Sequence, residues 1–227
     1  MTATLFIQYL LITSFLNTFT GIFSSKIITF RAQKVISRPL DSQTINLNAF
    51  ERWFKNQETP LTILSLNPGL VKVEKVSESE FKGYLKPIQF PGALVKSIVG
   101  FNVISSDTSV SVVCKEGSVQ QEIEAPAFVK KMLLSLLPDI TSSTTFCFDA
   151  EQATLSNNAQ LQIKSTIPSW FPINKEAAER GGSEAVQKSM DADMNGLLDR
   201  ILDRFIFETT TSTVGTASIA EAAVPLN

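Results

Sequence analysis

Between residues 70 and 167 the sequence alternates apolar and polar side chains with a period of two, in a succession of short segments. In the clearest segment, residues 160–167, Leu161, Ile163 and Ile167 occupy one face and polar side chains occupy the other. Half-buried strands of this kind are typical of antiparallel sheets with one solvated face. The pattern therefore predicts an antiparallel sheet of about six to seven strands.

Helical periodicity occurs before, within and after this run of strands. Asn46 or Asn48 is expected to cap a short amphipathic helix, and a second helix is predicted over 126–137, with Pro126 at its first position. The longest helix is predicted to start at Ser183 as its N-cap and to end near Phe207. Clustered strands with segregated helices indicate an α+β class. The order matches a helix-grip fold, a curved sheet wrapped on a long C-terminal helix.

The first forty residues differ in composition from the rest of the chain. They hold four basic residues and no acidic one, whereas the whole chain has 20 basic and 22 acidic residues. Residues 5–23 carry no charge. A carboxylate-free segment rich in Ser and Thr is typical of organelle targeting. We expect a leader over 1–34, signal-like over 1–22 and transit-like over 23–34, then a domain over 35–208 and a disordered tail over 209–227.

An apolar stretch followed by a basic one resembles the bipartite leader of algae with complex plastids. This resemblance implies a plastid (chloroplast) location. The alternative is that residues 5–23 anchor the protein in a membrane, although they are slightly short of the roughly 20 residues that a span requires.

Histidine is absent from all 227 residues, which excludes His-based acid–base catalysis and His-ligated metals. The chain has no phosphate-binding glycine loop and no CxxC, and its longest basic run is Lys130-Lys131. We therefore expect no cofactor, no metal and no nucleic-acid partner. Clustered carboxylates near residues 74–80 and 122–124 are interpreted as solvated surface. Whether Cys114 and Cys147 pair stays open.

Two segments carry a resemblance to a known family, namely residues 80–103 (EFKGYLKPIQFPGALVKSIVGFNV) and residues 167–205. They resemble a domain-of-unknown-function family of cyanobacterial, algal and plant plastid proteins, which ends in a strand, a Pro-aromatic-Pro loop, a glycine and a long helix. The matching positions here are Pro168, Trp170, Phe171, Pro172 and Gly181 or Gly182. The resemblance implies a fold similar to the START and polyketide-cyclase-like superfamily, and it supplies no catalytic residue.

Large apolar side chains on the predicted inward faces are candidates for the wall of a ligand cavity. Trp170 and Phe171 would line its mouth or plug the core, and Met190 and Met194 would form an adaptable wall or ordinary core. The candidate set is Phe101, Phe146, Phe148, Trp170, Phe171, Met190, Met194, Leu197, Leu198 and Ile201.

The helix over 126–137 looks like an insertion relative to the family. It is expected to pack on the sheet, to cover the cavity as a lid, or to rest on an anionic membrane surface as an amphipathic foot. The side chains that would serve as lid or foot are Phe128, Lys130, Lys131, Met132 and Leu136.

These features favour a non-enzymatic plastid protein that binds a hydrophobic small molecule, such as a lipid, pigment or isoprenoid, between the sheet and the C-terminal helix. A scaffold or assembly factor for a thylakoid membrane complex is the alternative. A cyclase-like enzyme is the third interpretation, which depends on fold analogy alone.

Overall fold

The computed structural model describes residues 25–41, 43–90, 92–136, 138–168 and 174–220, with side chains throughout except at residues 90, 132, 135, 136, 168 and 211–220. The strands within these ranges are β1 (Ser25–Pro39), β2 (Leu70–Lys75), β3 (Glu80–Leu85), β4 (Ile88–Phe90), β5 (Ala93–Ser105), β6 (Ser109–Cys114), β7 (Val119–Glu124), β8 (Asp139–Asp149) and β9 (Thr154–Pro168). The helices are α1 (Leu47–Phe54), α2 (Thr59–Ser65), α3 (Ala127–Leu136), α4 (Lys175–Met194) and α5 (Leu197–Ala220).

The described strands form one antiparallel sheet in the order β1-β9-β8-β6-β5-β3-β2, with β4 and β7 also paired to β5. Because β6 and β7 pair with consecutive stretches of β5, they act together as one long interrupted strand. The interruption turns at Gly117, whose φ of +76° suits glycine. Across it, the Gly100 N–H donates to the Ser118 carbonyl at 2.8 Å.

This architecture confirms the α+β class with a curved antiparallel sheet and a long C-terminal helical segment. The alternation of the sequence matches the pleat, since inward residues of β5, β6 and β9 are buried where their neighbours are not. The strand expected over 80–90 is divided into β3 and β4, and α2 was not predicted. The inward side chains form the concave face of the sheet.

An aromatic core occupies one end of the concave face. Asn46 caps α1, as predicted, by accepting a hydrogen bond from the Ala49 N–H at 3.1 Å. The Phe50 ring lies 5.1 Å from Phe148 on β8 and 5.0 Å from Phe205 on α5, both edge to face. Such pairs contribute about 0.5–1.5 kcal/mol beyond area burial. Helix α5 is thereby fixed against the sheet at this end.

Helix α4 covers the outer edge of β1 with a ladder of side-chain acceptors. The acceptors recur every four residues and the backbone donors every second residue. These repeats match because four helical residues rise about 6.0 Å and two strand residues about 6.6 Å. Covering an edge strand also protects it from pairing with other chains. The three pairs are Thr29 N to Glu179 Oε1 (2.9 Å), Arg31 N to Ser183 Oγ (3.1 Å) and Gln33 N to Gln187 Oε1 (3.1 Å).

The start of the C-terminal helical segment differs from the sequence prediction. The N-cap is Asn174, which accepts from the Ala177 N–H at 3.0 Å, so the expected cap Ser183 lies inside α4. Gly181 and Gly182 are helical for the same reason. A glycine is required at 182 by tertiary packing, because a Cβ there would lie 2.2 Å from the ring of Phe30.

The end of this segment also differs. Instead of one helix ending near Phe207, the chain breaks at Asn195 and Gly196, and α5 then continues to Ala220. The Thr- and Ser-rich sequence from residue 209, expected to be disordered, is helical as far as 220. Its threonines participate locally, as in the hydrogen bond from Thr210 Oγ1 to the Ile206 carbonyl at 2.7 Å.

The N-terminal boundary of the domain lies earlier than residue 35. Strand β1 begins at Ser25, pairs with β9 along its whole length and buries Ile28, Phe30 and Ala32. The segment 23–34 is therefore part of the fold from residue 25 onward. Its composition did not indicate this, because basic and hydroxyl side chains suit a half-solvated edge strand as well as a transit peptide. Residues 1–24, including the uncharged stretch 5–23, lie outside the described residues.

Helix α3 lies within residues 126–137, where a helix was predicted. Leu133 is fully buried with Val95 and Ile123 of the sheet in a small separate cluster, so this side of the helix packs on the sheet. Phe128 on the other side is 71% exposed. Among the described helices, none is long and apolar enough to cross a membrane.

Candidate functional site

A cavity of about 300 Å³ lies between the concave face and the helices. Side chains of β5 to β9 form its floor, α2 and the junction of α4 with α5 form its roof, and Leu70, Leu85 and Ile88 of β2 to β4 also line it. Of the residues that line the cavity, Asn67, Pro68, Lys86 and Gln160 are exposed. The turn at Asn67 is held by its own Oδ1, which accepts from the Gly69 N–H at 2.9 Å.

Five of the ten predicted cavity residues line this space. Two come from the sheet and three from the helical junction, so the break between α4 and α5 lies directly above the cavity. Methionine suits such a position, because its flexible side chain adapts to occupants of different shape. The five are Phe101, Phe146, Met190, Met194 and Leu197.

Three other candidates do not line the cavity. Phe148, Leu198 and Ile201 are buried in the aromatic core with α1 instead. The sequence pattern treated the segment as one helix with one inward stripe, whereas the break lets Leu198 and Ile201 face a different part of the sheet from Met190. Trp170 and Phe171 lie outside the described residues.

The described lid or foot candidates on α3 do not line the cavity either. Phe128, Lys130 and Lys131 are exposed, and no α3 side chain that the structure describes lines the cavity. The side chains of Met132 and Leu136 lie outside the described part of the chain. The described geometry thus matches the packing interpretation of the helix and gives no support to the lid.

Polar side chains interrupt the apolar floor, and the sequence analysis missed them. Ser97 and Gln121 are direct cross-strand neighbours on β5 and β7, and Ser142 and Thr144 lie on β8. Asn157 on β9 completes this set. The signal was present, since extending the phase of Leu161 and Ile163 back along β9 places residue 157 on the inward face.

Several of these polar groups are buried without a partner. Within the described residues, the buried side-chain oxygen and nitrogen atoms that lack a hydrogen bond are Gln121 Oε1, Asn157 Oδ1, Asn157 Nδ2 and Arg200 Nε. All three residues line the cavity. Unpaired buried polar groups cost about 1–3 kcal/mol each. Their concentration around one cavity indicates that the cavity is built to receive hydrogen-bonding groups.

Arg200 extends from α5 toward the cavity roof. Its Nη2 donates to the Asp193 carbonyl at 3.3 Å, which ties α5 to the last turn of α4 across the break. A Cβ at Gly196 would lie 3.0 Å from Arg200 Nη1, so glycine at the break leaves room for the guanidinium. The cation is therefore positioned at the helix junction and is only partly buried.

The titratable chemistry of the cavity is limited. Burial raises the pKa of the Cys114 thiol to about 11, so the thiol is protonated at neutral pH and is a weak nucleophile. Its Sγ donates to the Ile140 carbonyl at 3.6 Å. No cluster of potential metal ligands occurs among the described residues. The arrangement suits binding better than covalent chemistry.

The two cysteines do not form a disulfide within one molecule. Cys114 lies opposite Ser142, whereas Cys147 lies opposite Ser109, five residues away along the pair of strands. That offset corresponds to about 16 Å at 3.3 Å per residue. A disulfide requires Cα atoms within about 7 Å. Cys147 is exposed and Cys114 is buried.

No protein-family model matches the chain, and no curated protein matches it. Among solved structures, a START superfamily protein from Mycobacterium smegmatis is 7% identical, with 75% of this chain and 98% of that chain covered and a TM-score of 0.38. A norcoclaurine synthase point mutant from Thalictrum flavum, in complex with a transition-state analogue, is 11% identical over 84% and 99% of the chains, with a TM-score of 0.38. Ara h 8.0201 is 12% identical over 80% and 99%, also at 0.38. The fold class rests on the chain's own strands and helices, because these likenesses are distant.

Proposed function

We propose that the protein binds a small apolar molecule in the cavity between the sheet and the α4–α5 junction. The observation that carries this proposal is an apolar cavity of about 300 Å³ whose wall includes Phe101, Phe146 and two methionines. Ligand sites are typically concave and mostly apolar, with a few polar groups that orient the occupant. The unpartnered side chains of the floor supply such groups.

The volume of the cavity limits the size of the ligand. At about 20–30 Å³ for each group, the cavity accommodates about 10–15 methylene- or ring-sized groups. A medium-chain lipid or a small isoprenoid fits this volume. A diacyl lipid or a tetrapyrrole pigment is larger than this volume, so either would have to extend beyond the cavity.

The proposed role is binding without catalysis, in a plastid. The chain has no histidine, and the raised pKa of Cys114 keeps the thiol protonated. The plastid location is proposed from the uncharged segment 1–24, which is rich in Ser and Thr, because the four basic residues up to Leu40 all lie in β1.

Blocking the cavity tests the binding proposal. Met194 is buried and lines the cavity, so Met194→Trp should fill the space. Ile206→Trp on the exposed side of α5 is the matched control. With 1-aminoanthracene as a fluorescent probe, we expect the wild type and Ile206→Trp to bind and Met194→Trp to lose at least about tenfold in affinity.

The melting temperature gives the second readout of this experiment. A space-filling Trp leaves stability near the wild type if the cavity is genuine, whereas in a filled core it overpacks and costs about 1–3 kcal/mol. A destabilised Met194→Trp protein together with no wild-type probe binding would refute the proposal. If the wild type binds the probe, native mass spectrometry of protein from its own cells would identify the natural occupant of the cavity.

A second candidate function is docking on a membrane surface, as an assembly factor requires. It is favoured by the exposed side of α3, where Phe128 (71% exposed) and Leu134 (49% exposed) accompany Lys130 and Lys131. Flotation with anionic phospholipid vesicles tests it. Phe128→Asp should abolish binding, whereas Ile104→Asp, at a residue of similar exposure on β5, should not. Equal binding by both variants would exclude α3 as the contact.

A further inference from the structure

The Asn157 carboxamide is the most deeply buried polar group of the cavity. The residue is 1% exposed, and neither its Oδ1 nor its Nδ2 has a hydrogen-bond partner. Its cross-strand neighbours are Phe146 on β8 and Ile36 on β1. The inward residues before and after it on β9 are Leu155 and Ala159. A donor and an acceptor are thus held side by side in an apolar part of the wall.

Few side chains beside Asn157 could share a water with it. A buried water typically needs two to four polar partners. Next to Asn157 the sheet offers the apolar Phe146, Leu155 and Ala159, and the hydroxyl of Thr144, which pairs with Ala159, is the polar group of this register that lines the cavity. A water at the carboxamide would have few partners besides Asn157 itself and this hydroxyl.

We infer that the ligand carries an uncharged group with a hydrogen-bond donor and acceptor side by side, of the primary-carboxamide type, which pairs with both atoms of Asn157. This inference rests on the proposed function and adds the chemistry of the ligand to it. A carboxamide that faces another forms two parallel hydrogen bonds, one to Oδ1 and one from Nδ2. The rest of the ligand is hydrocarbon, because the rest of the wall is mainly apolar.

Charged groups match Asn157 less well. A carboxylate accepts from Nδ2 but places an anion beside Oδ1, which stays unpaired. An ammonium group donates to Oδ1 but leaves Nδ2 unpaired. The cationic side chains of the cavity wall that would favour an anion are Lys86, which is exposed, and Arg200, whose Nη2 donates to the Asp193 carbonyl and whose Nε is unpaired.

Three ligands of equal size separate these possibilities. Decanamide, 2-undecanone and decanoate have the same number of non-hydrogen atoms and differ only in the head group. The ketone accepts a hydrogen bond and has no donor, and decanoate is an anion. Displacement of 1-aminoanthracene measures the affinity of each for the wild type, Asn157→Leu and Asn157→Ala.

The informative quantity is the ratio of the decanamide affinity to the 2-undecanone affinity, because the different hydration of the ligands cancels between protein variants. We expect both substitutions to lower this ratio by about tenfold, as the loss of one to two net hydrogen bonds implies. Asn157→Ala leaves space and Asn157→Leu fills it, so agreement between them excludes a steric effect. Both variants should melt no lower than the wild type, since an unpaired buried amide is removed.

Two results would overturn the inference while leaving the proposed function intact. One is that all three ligands bind and the ratio is the same in the wild type and both variants. The other is that decanoate binds best, that Arg200→Met abolishes this preference and that Asn157→Leu leaves it unchanged. If neither the probe nor any of the ligands binds the folded wild type, the proposed function itself is wrong.

Discussion

Two adjacent glycines of α4 are expected to respond in opposite directions to the same substitution. At Gly181 an added Cβ meets open space, whereas at Gly182 it would lie 2.2 Å from two carbons of the buried Phe30 ring. Both residues lie inside the helix, where replacing glycine by alanine gains about 0.8–1 kcal/mol of helix propensity. We therefore expect Gly181→Ala to raise the free energy of unfolding by about that amount.

Gly182→Ala combines the same gain with overpacking. Carbon atoms in contact rest about 3.5–4.0 Å apart, so the ring or the helix must move by about 1.3 Å or more. Overpacking costs about 1–3 kcal/mol, which leaves a net loss of up to about 2 kcal/mol. For a domain of this size 1 kcal/mol corresponds to about 2–4 °C. The melting temperature should rise by about 2–4 °C for Gly181→Ala and fall by up to about 8 °C for Gly182→Ala.

Thermal melts followed by circular dichroism, with urea unfolding as a second measure, compare the two variants with the wild type. Equal stability of Gly181→Ala and Gly182→Ala would refute the close docking of α4 against Phe30. The double variant Phe30→Leu/Gly182→Ala provides a further check. If the contact is direct, the smaller side chain makes room, and the double variant should lose less than the sum of the two single losses.

Three further predictions follow from the described contacts. Leu198→Asp places an unpaired carboxylate in the aromatic core and should lower the free energy of unfolding by about 3–5 kcal/mol. Asp199→Leu breaks a solvated ion pair with Arg38 and should lower it by at most about 1 kcal/mol. Equal denaturation midpoints of the two variants would show that the wrong helix face was assigned. Peptide sequencing of protein from its own cells should find the mature N-terminus close to Ser25 or earlier, and a terminus inside β1 would contradict the role of that strand. The exposed Cys147 should react with a thiol reagent at pH 8. At this pH the Cys114 thiol, with a pKa of about 11, is only about one part in a thousand thiolate, so it should react after unfolding or at much higher pH. Rapid titration of both thiols in the folded protein would contradict the burial of Cys114.

The sequence predicts most of the sheet because its signal is local. Alternation with a period of two identifies β5 to β9 directly, and turn residues such as Gly117 separate them. The N-terminal part of strand β1 was not predicted, because its composition also suits a leader and its pairing partner β9 lies more than a hundred residues away. Composition cannot distinguish the two cases, whereas the burial of Phe30 does.

For the C-terminal helices a local sequence signal was present, but it led to a wrong prediction of where the helix starts. Gly181-Gly182 and Ser183 have the form of a helix start, and propensity alone favours that interpretation. Tertiary contacts override it, since Gly182 gives Phe30 room and Ser183 accepts from the β1 edge. The break at Gly196 then divides the apolar stripe, so that residues before and after it contact different parts of the core.

Only half of the site could be predicted. The rule that identifies strands selects apolar side chains at alternate positions, and it therefore misses the polar side chains on the inward face. A search for apolar side chains at inward positions finds Phe101 and Phe146 and passes over Asn157, which occupies an equivalent position with a polar group. In a core selected for stability alone, an unpaired buried amide would be replaced by an aliphatic residue at a gain in free energy. Its presence beside a cavity, and in phase with the apolar face, is therefore evidence for a role that stability does not explain.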